Sequence, residues 1–188
     1  MADLRDLAGI SAVFARIASA LGPVRVIVNN AGHDERHSIE QVTPEYWRER
    51  LAVNLDHQFF CSQAVIPGMS DGKGGSIINI GSCSWHLGLG SMPAYVTAKA
   101  AIEGLTRGLA RDLGGRHIRV NCVVPGFVKT ERQVQKWLTP ELEATIYAGQ
   151  CLPELIEPVY IANMVAFLAA DESRMCTAQT YVVDAGWM

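Results

Sequence analysis

Residues 76–101 read SIINIGSCSWHLGLGSMPAYVTAKAA. Alternating small and β-branched residues open the stretch as a buried strand, Gly and Ser then make a loop, and an Ala-rich run with good helix propensity closes it. Tyr95 and Lys99 stand at i and i+4 of that helix, a spacing that puts two side chains on one face. A neighbouring ammonium favours the deprotonated phenol, and an unperturbed Tyr titrates near ~10, too high for a good base at neutral pH. Ser82, where the strand ends, offers a hydroxyl to hold a carbonyl or alcohol oxygen opposite the phenol. Spacing alone also suits an exposed helical pair, because the chain contains five Tyr.

Other stretches change that balance. Asn29, Asn30, Ala31 and Gly32 directly follow an apolar strand, Asn54 lies in the helical run LAVNLDHQFF, and Pro125 and Gly126 end a further strand with Thr130 four residues on. In a parallel sheet ligands collect at the carboxyl ends of strands, and Ala31 and Gly32 are small enough to let a cofactor lie against the backbone. Together, in this order and spacing, NNAG, that Asn, the series Ser82, Tyr95, Lys99 and the Pro-Gly turn resemble the short-chain dehydrogenase/reductase family. The resemblance runs from Asp3 to Trp187.

The resemblance implies an α/β fold, a Rossmann-like doubly wound parallel sheet, and hydride transfer between a nicotinamide and a substrate carbon while a Tyr moves a proton. Carried to matching positions, Tyr95 is the acid/base and Ser82 positions the oxygen. Lys99 tunes the phenol and meets a ribose, and the Asn54 carbonyl holds a water that relays protons from Lys99 to solvent. Asp3 meets the adenine, Asn30, Ala31 and Gly32 lie along the adenosine side, and Pro125, Gly126, Val128 and Thr130 hold the nicotinamide end. NAD is the implied cofactor, with NADP as the alternative. Finer likenesses in SWHLGL, VVPGFVKTERQ, KWLTPE, QCL and the terminal DAGW are to bacterial sugar dehydrogenases of this family, which oxidise an aldose such as D-xylose to its lactone. A sugar pocket needs hydrogen-bonding groups, and Trp85, His86, Gln133 and Gln150 are candidates. Trp85 and His86 read equally as packing residues of their loop.

Composition fits one soluble globular domain of ordinary size: 188 residues, 49% hydrophobic and 19% charged. A net charge of −3 without a Lys/Arg run argues against nucleic acid as a partner. Cys61, Cys83, Cys122, Cys151 and Cys176 are scattered and odd in number, and no N-terminal apolar signal precedes them, so reduced thiols in a cytoplasm are expected. The longest apolar run, VYIANMVAFLAA, is too short to span a membrane and contains Asn163.

Along the chain, Ile10, Val13, Phe14, Ile17 and Leu21 recur at helical intervals up to Gly22 and Pro23, and residues 24–28 form a strand. Residues 33–41 read as a polar loop. His33, Asp34, Glu35 and His37 there lack a second cluster to complete a metal site, so solvated surface is expected and no metal. Thr43, Pro44 and Glu45 start a helix reaching about Pro67, whose apolar face, Trp47, Leu51, Leu55 and Phe59, is expected on the sheet or on a partner subunit. A turn at Lys73, Gly74 and Gly75 leads into the central stretch, and the helix carrying Tyr95 continues to Gly114 through Ala101, Leu105, Leu109 and Leu113. Strands at 118–124 and 180–184 flank a Thr139-capped insertion, which suits a lid over a substrate, and a strong helix at 159–170.

One departure from the family is large. Its members begin with a strand, a Gly-rich turn and a helix that receive the pyrophosphate. That unit is not recognisable here, so residues 1–188 are expected to form one incomplete domain short of roughly 60 residues, two βα units at about 30 residues each. The strand at 24–28 then becomes an unpaired edge with apolar side chains exposed. The helices around Asn54 and Tyr95, commonly the family's subunit contact, are intact, and a homo-oligomer is expected. Two other readings remain: a catalytically silent fragment acting as an interaction module, and a ketoacyl or steroid reductase of the same family.

Overall fold

The periodic apolar positions at the start of the chain fold as one helix, α1 (Ile10–Leu21), which stops at Gly22 with φ 88°. The computed structural model describes residues 2–71 and 74–188. Strand β1 (Val26–Asn29) comes next, two residues later than the apolar run begins. Arg25 just before it donates to the carbonyls of Met69 and Gly74. Thr43 caps the following helix as its sequence dictates: its hydroxyl accepts from Tyr46 N at 3.2 Å, Pro44 opens the helix and Glu45 sits in the first turn.

That long helix is not continuous. It runs as α2 (Pro44–Leu51), widens into a π-turn over Ala52–Asp56, and resumes as α3 (His57–Asp71) with Pro67 inside it. Strand β2 (Gly75–Ile80), helix α4 (Pro93–Leu113) and strand β3 (Ile118–Pro125) follow. Two short helices, α5 (Glu131–Lys136) and α6 (Pro140–Gly149), precede α7 (Pro158–Ala169) and strand β4 (Thr180–Val183). Thr130 and Thr139 cap α5 and α6. Of the expected turn at Lys73, Gly74 and Gly75, Lys73 lies outside the described residues.

The four strands form a parallel sheet in the order β1-β2-β3-β4, with Ile78 opposite Val28 on one side and Asn121 on the other. Alternation along the strands separates two cores. Ile27, Ile77 and Val120 pack with Ile10, Val65, Met69 and Leu113 of α1, α3 and α4, while Ile78, Ile80 and Val123 pack with Leu168 of α7. Helices on both faces of a parallel sheet make this a doubly wound α/β architecture. Strand β1 is an edge, and Val26 and Val28 are 38% and 40% exposed on it. The spacing G-x-x-x-G-x-G does occur in the chain, at Gly68, Gly72 and Gly74, but where α3 gives way to β2. A phosphate site needs the reverse order, a strand leading into a helix N-terminus.

The stripe Trp47, Leu51, Leu55 and Phe59 is not one sheet-facing side: Leu55 packs against the cluster of Cys83, Ile102, Cys122 and Val124, whereas Phe59 is turned outward. The buried side of α2 and α3 carries Arg50, Asn54, His57, Gln58, Cys61 and Ser62, and Phe59 is 37% exposed. The reason is a polar ladder through the sheet. Asn29 Nδ2 donates to Asn79 Oδ1 at 2.8 Å and Ser62 Oγ at 3.0 Å, and Asn79 Nδ2 donates to Thr106 Oγ1 of α4 at 3.0 Å. Buried amides must be paired, so α3 turns its polar side inward to supply partners.

Candidate active site

Strands β1 and β2 end side by side, and the residues after them converge. Lys99, 3% exposed, projects from the first turns of α4 and donates from Nζ to the Ile80 carbonyl at 2.8 Å. Its ammonium lies 5.6 Å from the ring centre of Tyr95 one turn earlier. Ser82 lies against the Tyr95 phenol, and that contact favours the ionised phenol. Gly32 passes so close that a Cβ there would meet Asn54 Oδ1 at 3.3 Å and Lys99 Nζ at 3.4 Å. Asn54 is fully buried in the π-turn; its Oδ1 accepts from His33 N at 2.7 Å and its Nδ2 donates to the Arg50 carbonyl at 3.0 Å. Ser82, Tyr95, Lys99, Asn54 and Gly32 thus share one locus.

The electrostatics differ from the expectation that Lys99 lowers the phenol. Burial is the largest influence on Tyr95 and pushes it up to about 12, opposed by Ser82 and Arg36 and reinforced by Asp34 and Cys83. Burial likewise lowers Lys99 to about 8, because a charged amine is costly away from water. Within this protein alone, desolvation outweighs the mutual help of the pair.

The flanking segments are exposed and open. Asn29 is consumed by the polar ladder, whereas Asn30, Ala31 and Gly32 face outward. On the other side, the Pro125 carbonyl accepts from Cys83 N at 3.1 Å and so fastens the Ser82 loop to the end of β3. Gly126 is in tight quarters, where a Cβ would fall 2.8 Å from Asp184 Cα. Val128 pairs with Ile156, and the Thr130 hydroxyl accepts from Gln133 N, which leaves its own proton free to donate. These residues fit a nicotinamide cofactor: Gly32 leaves room for close approach, one of three Lys99 donors is spent on Ile80, and Thr130 keeps a donor. Asp3 stands apart on the surface, its carboxylate taken by Arg5 at 2.7 Å, which holds it down at about 2.

The sugar-pocket candidates separate. Trp85 Nε1 and His86 Nε2 both engage Glu103 Oε1, at 3.0 and 2.8 Å, and the two rings stack with centres 3.7 Å apart. Glu103 lies eight residues beyond Tyr95, about 12 Å along the helix, so this is the packing arrangement. Gln150 is buried, and its amide nitrogen is best placed facing the carbonyls of Leu152 and Glu154. Gln133 alone reaches the locus, donating to Asp34 Oδ2 at 2.7 Å.

The loop expected to be plain solvated surface is instead wired into the site. Arg132 of α5 pairs with Asp34, and Arg50, almost fully buried, reaches Glu35 at 3.3 Å and His33 at 3.1 Å. Glu49 joins Arg50 to Arg5. His37 is buried, with Tyr46 OH 3.0 Å from its Nδ1. His57, also buried, approaches the Ala52 carbonyl across the π-turn at 3.3 Å, and burial lowers its pKa. Asp34, Arg50, Arg132 and His57 have no local sequence signal. Their partners lie as far as 99 residues away.

A buried Lys beneath a Tyr, a Ser at the end of β2 and a Gly-walled approach stand together at the carboxyl ends of the strands of a doubly wound sheet, where ligands of such sheets collect. The chain belongs to the short-chain dehydrogenase/reductase family. A family model described as enoyl-(acyl carrier protein) reductase matches residues 1–188. The chain is 57% identical over 185 residues to D-xylose 1-dehydrogenase of Caulobacter vibrioides, covering 98% of this chain and 73% of that protein. It is 45% identical to a protein of Rhizobium meliloti named as a probable galactose dehydrogenase, covering 98% of this chain and 72% of the relative. Among solved structures, TT0495 protein from Thermus thermophilus superposes with a TM-score of 0.92 at 34% identity, covering 99% of this chain and 78% of that one.

Proposed function

We propose that the chain is an NAD-dependent sugar dehydrogenase that oxidises an aldose such as D-xylose at its anomeric carbon to the lactone. The observation that carries this is the convergence of Ser82, Tyr95 and Lys99 in a chain 57% identical to a D-xylose 1-dehydrogenase. Asn30, Ala31, Gly32, Tyr95, Lys99, Pro125, Gly126, Val128 and Thr130 would hold the cofactor. When bound, the nicotinamide accepts the hydrogen that leaves the anomeric carbon with its electron pair.

The chain's own residues do the rest. Ser82 holds the substrate oxygen by a hydrogen bond, and the phenolic oxygen of Tyr95 takes that oxygen's proton as the carbon–oxygen double bond forms. Lys99, fixed by the Ile80 carbonyl, presents its remaining donors toward the phenol and the ribose. Asn54 holds the His33 amide and so sets the backbone that walls the cleft. NAD over NADP rests on the family likeness.

Assembly and location follow the same reading. The exposed Phe59 and the partly exposed Trp47 and Leu51 give α2 and α3 an apolar outer side suited to a second copy of the chain. The five thiols are all unpaired, which accords with a cytoplasm, and among the described residues no helix is long and apolar enough to cross a membrane. The test is aldose-dependent NADH formation by the chain with the expected two βα units, the first carrying the Gly-rich turn, supplied ahead of it. Turnover of D-xylose, lost about 10²- to 10⁴-fold in Tyr95→Phe, is the expected result. No turnover of any sugar or alcohol would sink the proposal, and calorimetric NAD binding by the 188-residue chain itself would exclude the silent-fragment reading.

A further inference from the structure

Proton transfer, as described, makes no use of Asp34, yet the structure holds it firmly beside the reacting groups. Gly32 runs against Lys99 and Asn54, and the His33 amide is tied to Asn54 Oδ1. Asp34 is the next residue, two removed from the Lys99 contact, so its backbone lies within about 7 Å of that point. Its side chain is only 14% exposed. Two donors reach it from α5: Arg132 on Oδ1 and Gln133 on Oδ2. Its charge reaches both Tyr95 and Lys99 and raises the pKa of each.

An ionised carboxylate is acceptor-only, with roughly four lone-pair sites. Arg132 and Gln133 occupy one on each oxygen, which leaves one more on each, and holding both oxygens restrains the rotation of the carboxylate. Two adjacent acceptors of this kind match two hydroxyls on neighbouring carbons. Arg132 also balances the charge, so the carboxylate can remain ionised in a partly closed cleft. A simple latch for α5 would need the Arg132 pair alone; the Gln133 contact adds orientation that a latch does not require.

We infer that Asp34 selects the substrate by accepting hydrogen bonds from the hydroxyls on C2 and C3, the first two carbons beyond the reacting one, with Arg132 and Gln133 as the residues that aim it. This rests on the sugar-dehydrogenase reading above. It extends that reading from a reaction to a specificity: a polyhydroxylated substrate fills the acceptor sites that Arg132 and Gln133 leave open on Asp34, whereas an acyl chain or steroid covers them without a donor.

The test compares D-xylose with its 2-deoxy and 3-deoxy analogues in the enzyme assayed above, in Asp34→Ala and in the isosteric Asp34→Asn. Circular dichroism and NAD affinity report whether each variant is folded. Removing a hydrogen bond to a charged acceptor costs about 10- to 100-fold in kcat/KM. The expected result is that loss for D-xylose in Asp34→Ala, carried by KM, with the preference for D-xylose over at least one deoxy analogue shrinking by the same factor. Asp34→Asn, which keeps one acceptor oxygen, falls between. If the variants lose rate equally on all three sugars, or keep the wild-type preference, Asp34 is only a latch and the inference is overturned. If the parent enzyme turns over no aldose, the underlying reading fails first, and this one with it.

Discussion

Lys99 shows how one residue can oppose the fold it serves. Its pKa is lowered to about 8 by burial, so below that pH it is protonated both in the folded and in the unfolded chain, and the folded state bears the cost. The unfolded chain binds more protons between pH 8 and an unfolded value near ~10.5, so stability rises with pH across that window. Lys99→Met is therefore expected to raise stability at pH 7 by roughly 1–3 kcal/mol while abolishing turnover. Thermal unfolding at pH 7 and pH 10 checks this, and the gain should shrink at the higher pH. Tyr95, held up by burial to about 12, carries a second prediction. As it is the proposed base, the oxidation rate should climb through the alkaline range, and Asp34→Asn should move that limb to lower pH by removing a charge that favours the protonated phenol. A limb left in place would show that Asp34 does not act on the phenol.

Glycines at the two ends of the cleft separate binding from stability. A Cβ on Gly32 meets only the ends of Asn54 and Lys99, at 3.3 and 3.4 Å, whereas one on Gly126 would strike the Asp184 backbone at 2.8 Å. Gly32→Ala is expected to leave unfolding nearly unchanged and weaken cofactor binding, by calorimetry. Gly126→Ala should cost about 1–3 kcal/mol of stability.

Among the elements, the sequence signals that held were those with a local physical cause. The apolar period of α1 and its Gly22 stop appear at the expected positions, and Thr43 and Thr139 each accept the backbone proton that a cap should. Thr139→Ala is expected to cost about 1 kcal/mol, read from denaturant unfolding, with Thr139→Ser restoring it. Ser82, Tyr95 and Lys99 were legible together because β2, its loop and α4 are contiguous in the chain, whereas Asn54 and Gly32, on other elements, joined them only through the family resemblance. The π-turn at Ala52–Asp56 was not, since widening a helix by one bond changes no composition. Of the two places expected for the apolar stripe on α2 and α3, the sheet or a partner subunit, the chain divides them: Leu55 packs on the core and Phe59 lies outside, because Asn29 draws Ser62 of α3 inward. The ties of Asp34 to Arg132 and Gln133 span 98 and 99 residues, a distance at which no spacing rule operates.

For the whole molecule, the sheet ends at β1 with two half-exposed valines. Unpaired apolar edges template association, so the 188-residue chain alone should self-associate at the edge, and Val28→Lys should suppress light scattering without lowering the unfolding midpoint. A Val28→Lys variant that scatters as strongly would place the adhesive surface elsewhere, with the outer side of α2 and α3 next in line.

The row of amides crossing from Asn29 through Asn79 to Thr106 has a consequence for how the chain reaches this state. Were β1 to slide by one position along β2, Asn79 would face valine, and two amides would lie stranded in hydrocarbon at roughly 1–3 kcal/mol each. Hydrophobic strands of Ile and Val tolerate many alignments, and these few polar atoms tolerate one. They act as a checksum: a misaligned sheet announces its error before the helices can close over it.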